Sequence, residues 1–126
     1  MKLHADRAEG VNVIHACDVQ SVSVNGTRYA HSILIPHTGD IQRWTPASAT
    51  DLQAADLEAL AALQPEVVIL GTGQRQQFLH PRLMAALLQA RIGVETMDTT
   101  AACRTYNVLA AEGRRVLAAL LIESSE

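Results

Sequence analysis

A chain of 126 residues, 48% apolar and with a formal net charge of −3, has the size of one domain and enough apolar content for one core. The mildly acidic balance argues against nucleic-acid binding through an extended basic surface. No apolar run approaches the roughly 20 residues that span a bilayer, so no transmembrane segment is expected. Met1–Arg7 lacks the hydrophobic stretch of a secretory signal, and Cys17 and Cys103 form neither a C-x-x-C pair nor a disulfide framework. A reducing cytoplasm is therefore the default location.

In chain order, Met1–Gly10 is polar and expected to be loosely held. From Val11 to Trp44 the pattern is β. Ser21–Val24 alternates, Asn25-Gly26 is a favoured two-residue hairpin turn, and Thr27–Ile35 reads as the returning strand. Pro36 and His37–Asp40 suggest a second reversal into a short strand, Ile41–Trp44, and Thr45–Thr50 reads as a loop. Thr50 and Gln53 have capping-box spacing ahead of a helix that aligns Leu57, Leu60 and Leu63 and stops at Gln64-Pro65.

The second half alternates strand and helix. Val67–Leu70 is a continuous apolar run, as in a strand covered on both faces. Pro81 suits the first turn of a helix carrying Leu83, Met84, Leu87 and Leu88, and Gly93–Met97 is the next strand. Asp98, Thr99 and Thr100 can cap a helix that ends at Gly113, with Arg114 and Arg115 near the negative end of its dipole. Val116–Ile122 is ambiguous on propensity, because Ala and Leu favour helix. Gly113 interrupts the helical pattern before it, which favours a strand.

Val67-Val-Ile-Leu-Gly-Thr-Gly73, Phe78, Pro81, Gly93–Thr99, Ala101-Ala-Cys-Arg-Thr-Tyr-Asn107 and Glu112–Val116 together form a specific pattern. It resembles a domain-of-unknown-function family that includes the mitochondrial complex I assembly factor three and an adipogenesis-associated protein. The resemblance runs from Val11 to about Ile122. It implies an α/β fold of three layers around a mixed central sheet, N-terminal β-hairpins followed by a β-α-β-α-β half, and a final strand at Val116–Ile122. One domain is expected over residues 1–126, with an ordered core of about 11–122.

If Val67–Leu70 and Gly93–Met97 are parallel, the segments after them emerge at one sheet edge, where open α/β sheets bind ligands. Thr72, Arg75, Asp98, Thr99 and Arg104 are then the candidates for a binding crevice beside Cys103, with Asn107 a turn further on to bond a loop backbone. Gly71-Thr-Gly73 lies where phosphate-cradling loops lie, but Gln76 stands where a dinucleotide fingerprint wants glycine, and no Gly-Lys-Ser/Thr follows. Both glycines are more simply read as a tight turn of unusual dihedrals. Cys103, in the first helical turn beside Arg104, is the catalytic candidate. Its wheel position near Ala102, Tyr106, Leu109 and Ala110 favours a buried, inert thiol instead.

His4, His15, His31, His37 and His80 show no ligand spacing, so neither a metal nor a cofactor is expected. Glu95 and Glu112 read as ion-pair partners of Arg91, Arg114 or Arg115. Two functions follow. The first is a non-catalytic binding or assembly module with a protein partner, as the resemblance implies. The second is a small-molecule or anion-binding protein or enzyme using the crevice near Gly71–Gly73, Asp98 and Cys103.

Overall fold

A computed structural model describes residues 10–123; the expectation for Met1–Glu9 lies outside these residues. The N-terminal part forms a small antiparallel sheet from β1 (Ile14–Cys17), β2 (Val22–Val24) and β3 (Thr27–Tyr29). Asn25 and Gly26, at φ 53° and 91°, make the two-residue turn between β2 and β3.

The expected long strand Thr27–Ile35 is divided. Ala30–Ser32 carries the chain into a second sheet, where β4 (Ile33–Pro36) begins. Ser32 fixes this transfer: its Oγ accepts from the Ile122 N–H at 2.9 Å, while its carbonyl accepts from the Trp44 N–H at 2.9 Å. The expected strand at Ile41–Trp44 shortens to β5 (Gln42–Arg43).

With β6 (Val67–Gly71), β7 (Gly93–Met97) and β8 (Val116–Leu120), these strands form a five-stranded mixed sheet of order β5-β4-β8-β6-β7. β8 is antiparallel to β4 and parallel to β6, which is parallel to β7. The ambiguous Val116–Ile122 segment is thus a central strand as far as Leu120, two residues short of the expected end. All five residues of β8 are buried, and both Ala118 and Ala119 are wholly so.

Between these strands lie α1 (Ala54–Ala62), α2 (Ala85–Gln89) and α3 (Thr99–Ala111), with 3-10 turns at Ala49–Asp51 and Pro81–Met84. The capping box belongs to Gln53 and Asp56, one helical turn later than Thr50 and Gln53. Thr50 sits in the preceding 3-10 turn, where its hydroxyl bonds Ser48. Leu57 and Leu60 are buried, but Leu63 is exposed because the helix is already ending there. Likewise Leu87 is buried while Leu88 faces solvent, since Pro81 opens a 3-10 turn and α2 is only five residues long.

Layering follows from handedness. The crossover from β6 to β7 and that from β7 back past β6 to β8 run in opposite directions. Right-handed connections therefore place α2 and α3 on opposite faces. Ile33, Ile35, Val67, Ile69, Val116, Ala118 and Leu120 pack toward α3 and the small sheet. Leu34, Val68, Leu70, Leu117 and Ala119 pack toward α1 and α2 with Trp44. Alternate residues of each strand thus enter opposite cores.

Glu66 locks the entry to β6. Its backbone N–H donates to the Arg115 carbonyl, its carboxylate accepts from the Arg115 N–H at 3.0 Å, and Arg114 Nε reaches it at 2.8 Å. These donors hold the Glu66 carboxyl below its usual range. Arg114 therefore pairs with Glu66, not Glu112, because Gly113 at φ 82° turns it away from its own helix.

Tyr106, fully buried on α3, donates its hydroxyl to the Asn12 carbonyl at 2.8 Å and lies 3.2 Å from the Pro36 carbonyl. Tyr106→Phe is expected to cost about 1–2 kcal/mol in urea unfolding, as the loss of one buried hydrogen bond. A variant as stable as the parent would show that the hydroxyl contributes nothing net.

Candidate functional site

β6 and β7 end side by side, and the segments that leave them go to opposite faces, the arrangement that opens a crevice in α/β sheets. Here the two loops are stapled together. The Thr72 N–H donates to the Met97 carbonyl at 2.8 Å, one residue beyond the end of β6. Thr72 is wholly buried; its Oγ1 donates to the Arg75 carbonyl at 2.7 Å and accepts from the Gln77 N–H at 3.2 Å. The side chain thereby curls residues 72–77 into a turn over the strand end.

Thr99 makes the second staple. It is fully buried, and its Oγ1 accepts from the Gly73 N–H at 2.8 Å while donating to the Leu121 carbonyl at 3.1 Å. Its own N–H donates to the Gly73 carbonyl at 2.9 Å. Asp98 caps α3: Oδ1 accepts from the Ala101 N–H at 2.8 Å. The hydroxyls of Thr72 and Thr99 and Oδ1 of Asp98 are thus bonded to backbone groups of the segments that meet at the strand ends.

The two glycines serve different needs. Gly73 has φ +105°, as the turn reading requires, whereas Gly71 lacks a positive φ. A Cβ on Gly71 would stand 2.9 Å from Thr99 Cα and 3.2 Å from Ala102 Cβ. Gly71 is therefore a contact requirement: it lets α3 lie against the end of β6. The spacing Gly-Thr-Gly reveals the turn but not the helix above it.

Arg75 and Arg104 are exposed at this edge, while Cys103 is 3% exposed, with its thiol turned into the core. Asn107 points elsewhere. Its Oδ1 accepts from the Ile14 N–H at 3.0 Å and its Nδ2 donates to the Ile14 carbonyl at 2.7 Å, clamping β1 to α3. The structure thus brings Thr72, Asp98 and Thr99 together and gives Asn107 to the small sheet.

Sequence reasoning missed the neighbour of Cys103. Cys17, on β1, lies against the Cys103 turn, its Sγ 3.9 Å from the Thr99 carbonyl, and interaction with the Cys103 thiol is the main cause of a lowered Cys17 pKa. The same contact, followed by burial, pushes the Cys103 thiol up. Two of the histidines are engaged with backbone: His80 caps the Pro81–Met84 turn through Nδ1, and His31 Nδ1 lies 3.0 Å from the Ser32 carbonyl. Among the described residues no group of three His, Cys, Asp or Glu side chains is placed to hold a metal, and no helix is long and apolar enough to cross a membrane.

The model of a family described as "Protein of unknown function (DUF498/DUF598)" matches residues 14–121, and the chain belongs to that family. It is 37% identical over 91 residues to NADH dehydrogenase [ubiquinone] 1 alpha subcomplex assembly factor 3 of Mus musculus, covering 71% of this chain and 48% of the mouse protein. It is 33% identical over 117 residues to the protein of the same name from Danio rerio, covering 90% and 66%. The chain thus spans about half to two thirds of the length of these relatives. A crystal structure of a Bordetella parapertussis protein superposes with TM-score 0.86 at 42% identity, covering 93% of this chain and all of that one.

Gly71→Ala is expected to lower stability by about 1–3 kcal/mol through overpacking against α3. Gly73→Ala should cost about 1–3 kcal/mol through backbone strain. Urea midpoints check both, and a parent-like midpoint for either variant refutes the reason given for that glycine. A second expectation concerns the thiols. A short iodoacetamide pulse on the native protein should label Cys17 and spare Cys103, with the Cys17 rate titrating below the ordinary thiol range. Rapid labelling of Cys103 in an intact fold would overturn the reading that its thiol is buried away from reagents in solution.

Proposed function

We propose that the chain is a non-catalytic protein-binding module of the assembly-factor type, whose partner is a subunit or assembly intermediate of a respiratory NADH dehydrogenase. The partner class rests on the names of its relatives. The carrying structural observation is Phe78, 86% exposed on the loop after β6. It lines a shallow groove with Leu79, Met84 and Thr96, beside β7, the edge strand of the larger sheet. Aromatic side chains at a polar-rimmed groove are what protein interfaces use as anchors, and they contribute most when a partner desolvates them.

The crevice geometry supports the same reading. A ligand entering between β6 and β7 would have to displace the Thr72 and Thr99 bonds that hold the loops. Breaking buried hydrogen bonds without replacement costs about 1–3 kcal/mol per group. A partner approaching Phe78 from outside meets no such penalty.

The test uses tagged full-length protein and a detergent extract of host membranes, with captured NADH dehydrogenase subunits quantified by mass spectrometry. Phe78→Ser should weaken capture about thirtyfold, the loss of a hot spot of about 2 kcal/mol, without changing the thermal midpoint. The proposal fails if the parent recovers none of these subunits, or if Phe78→Ser recovers them equally.

A further inference from the structure

The strand β1 carries an irregularity with a chemical consequence. Ile14 pairs with Val24 and Cys17 with Val22, but Ala16 pairs with Ser23, so one extra residue is accommodated between Ile14 and Ala16. Val22 and Val24 lie two apart and both point into the core. Residues paired directly across a sheet share a face. Cys17 therefore faces the core side with Ile14, although it lies three positions further on, an odd spacing; without the bulge it would point to solvent.

What Cys17 meets on that side is α3. Asn107 holds the Ile14 backbone by two hydrogen bonds, which sets the register of strand against helix. One turn back along α3 is Cys103, and one more is Thr99, whose carbonyl lies 3.9 Å from Cys17 Sγ. In a helix the Thr99 carbonyl accepts from the Cys103 N–H, so Cys17 Sγ sits over the turn that carries Cys103. Both cysteines are free, Cys17 partly exposed and Cys103 buried.

We propose that Cys17 and Cys103 form a redox-responsive dithiol, in which Cys17 takes up a low-molecular-weight disulfide such as glutathione disulfide and Cys103 resolves the adduct. The Cys17 thiolate attacks one sulfur of the disulfide, forming a Cys17–glutathione bond and expelling a glutathione thiolate. The Cys103 sulfur then attacks Cys17 Sγ, forming the Cys17–Cys103 bond. The second glutathione leaves with the proton that Cys103 gives up. Two protein thiols are oxidised, one glutathione disulfide is reduced, and two glutathione molecules result.

The surroundings suit this division of roles. The neighbouring Cys103 thiol and the charge of Arg104 favour the Cys17 thiolate, against burial, Asp18 and Asp98. Before the first step Cys103 is held protonated mainly by the Cys17 group beside it; once Cys17 is bonded to glutathione that cause is gone, and Cys103 can pass its proton to the departing glutathione as it attacks. The product would tie β1 covalently to the first turns of α3, next to the Asn107 clamp.

The test incubates the native full-length chain with glutathione disulfide, traps remaining thiols with N-ethylmaleimide, and reads intact mass and peptide maps. The parent should lose two hydrogens, carry no glutathione, and yield a Cys17–Cys103 cross-linked peptide. Cys103→Ala should instead accumulate one glutathione on Cys17, and Cys17→Ser should acquire neither modification. A lasting glutathione adduct on Cys17 of the parent, or no reaction at either thiol, would overturn the proposal. Because the cross-linked peptide is read in the parent, a variant that fails to fold does not decide the outcome.

Discussion

One oxygen atom organises this molecule. Thr99 Oγ1 accepts from the loop that leaves β6 and donates to the segment that leaves β8, while Thr99 itself opens α3. Three segments distant in sequence are brought within hydrogen-bond length of one buried hydroxyl. That convergence is possible only because Gly71 has no side chain where α3 crosses β6. A buried hydroxyl without partners would be destabilising, but with both roles filled it sets the position of the helix over the sheet.

The small sheet depends on α3 in turn. Its β1 strand is held by the Asn107 amide, and its approach is closed by the Tyr106 hydroxyl on the Asn12 carbonyl. Asn12 continues the network: Nδ2 donates to the Pro36 and Gly39 carbonyls, and Oδ1 accepts from Asn25 Nδ2. A polar seam thus joins the hairpin turn, the end of β4 and one face of α3. Between the Thr99 bonds at one end and the Tyr106 bonds at the other, the larger sheet meets the same helix by apolar packing along Val67, Ile69, Val116 and Ala118.

The legible parts of the fold were those in which local chemistry and tertiary demand agree. Asn25-Gly26, the unbroken run at β6, Asp98 as cap and Gly113 as stop each have one dominant local reading, and the fold uses it. Where two local readings compete, tertiary contacts decide. Thr50 and Gln53 are both able to cap, and the helix starts at the later one. Thr27–Ile35 has unbroken strand propensity, but Ser32 bonds Ile122 and diverts the chain. At the candidate site, the proximity of Thr72 to Asp98 and Thr99 follows from parallel strands and was readable. The close approach at Gly71 and the meeting of Cys17 with Cys103 were not, since each requires knowing what lies above a strand. A bulge, which carries no composition signal here, reverses which side Cys17 faces.

The central position of β8 also constrains how the chain is made. Ile33 on β4 pairs with Leu120, and Val67 on β6 pairs with Val116, so both neighbours wait for a strand translated after every other described strand. While ribosomes are still adding α3, β4 and β6 each expose an apolar edge with unfilled backbone donors and acceptors. Such edges are templates for misassembly with other nascent chains. The strand pairing of the small sheet does not wait for β8, since β1, β2 and β3 pair only with one another, although its clamp to α3 also forms late. Because its middle strand is the last to leave the ribosome, the larger sheet can close only when synthesis of the described chain is nearly complete.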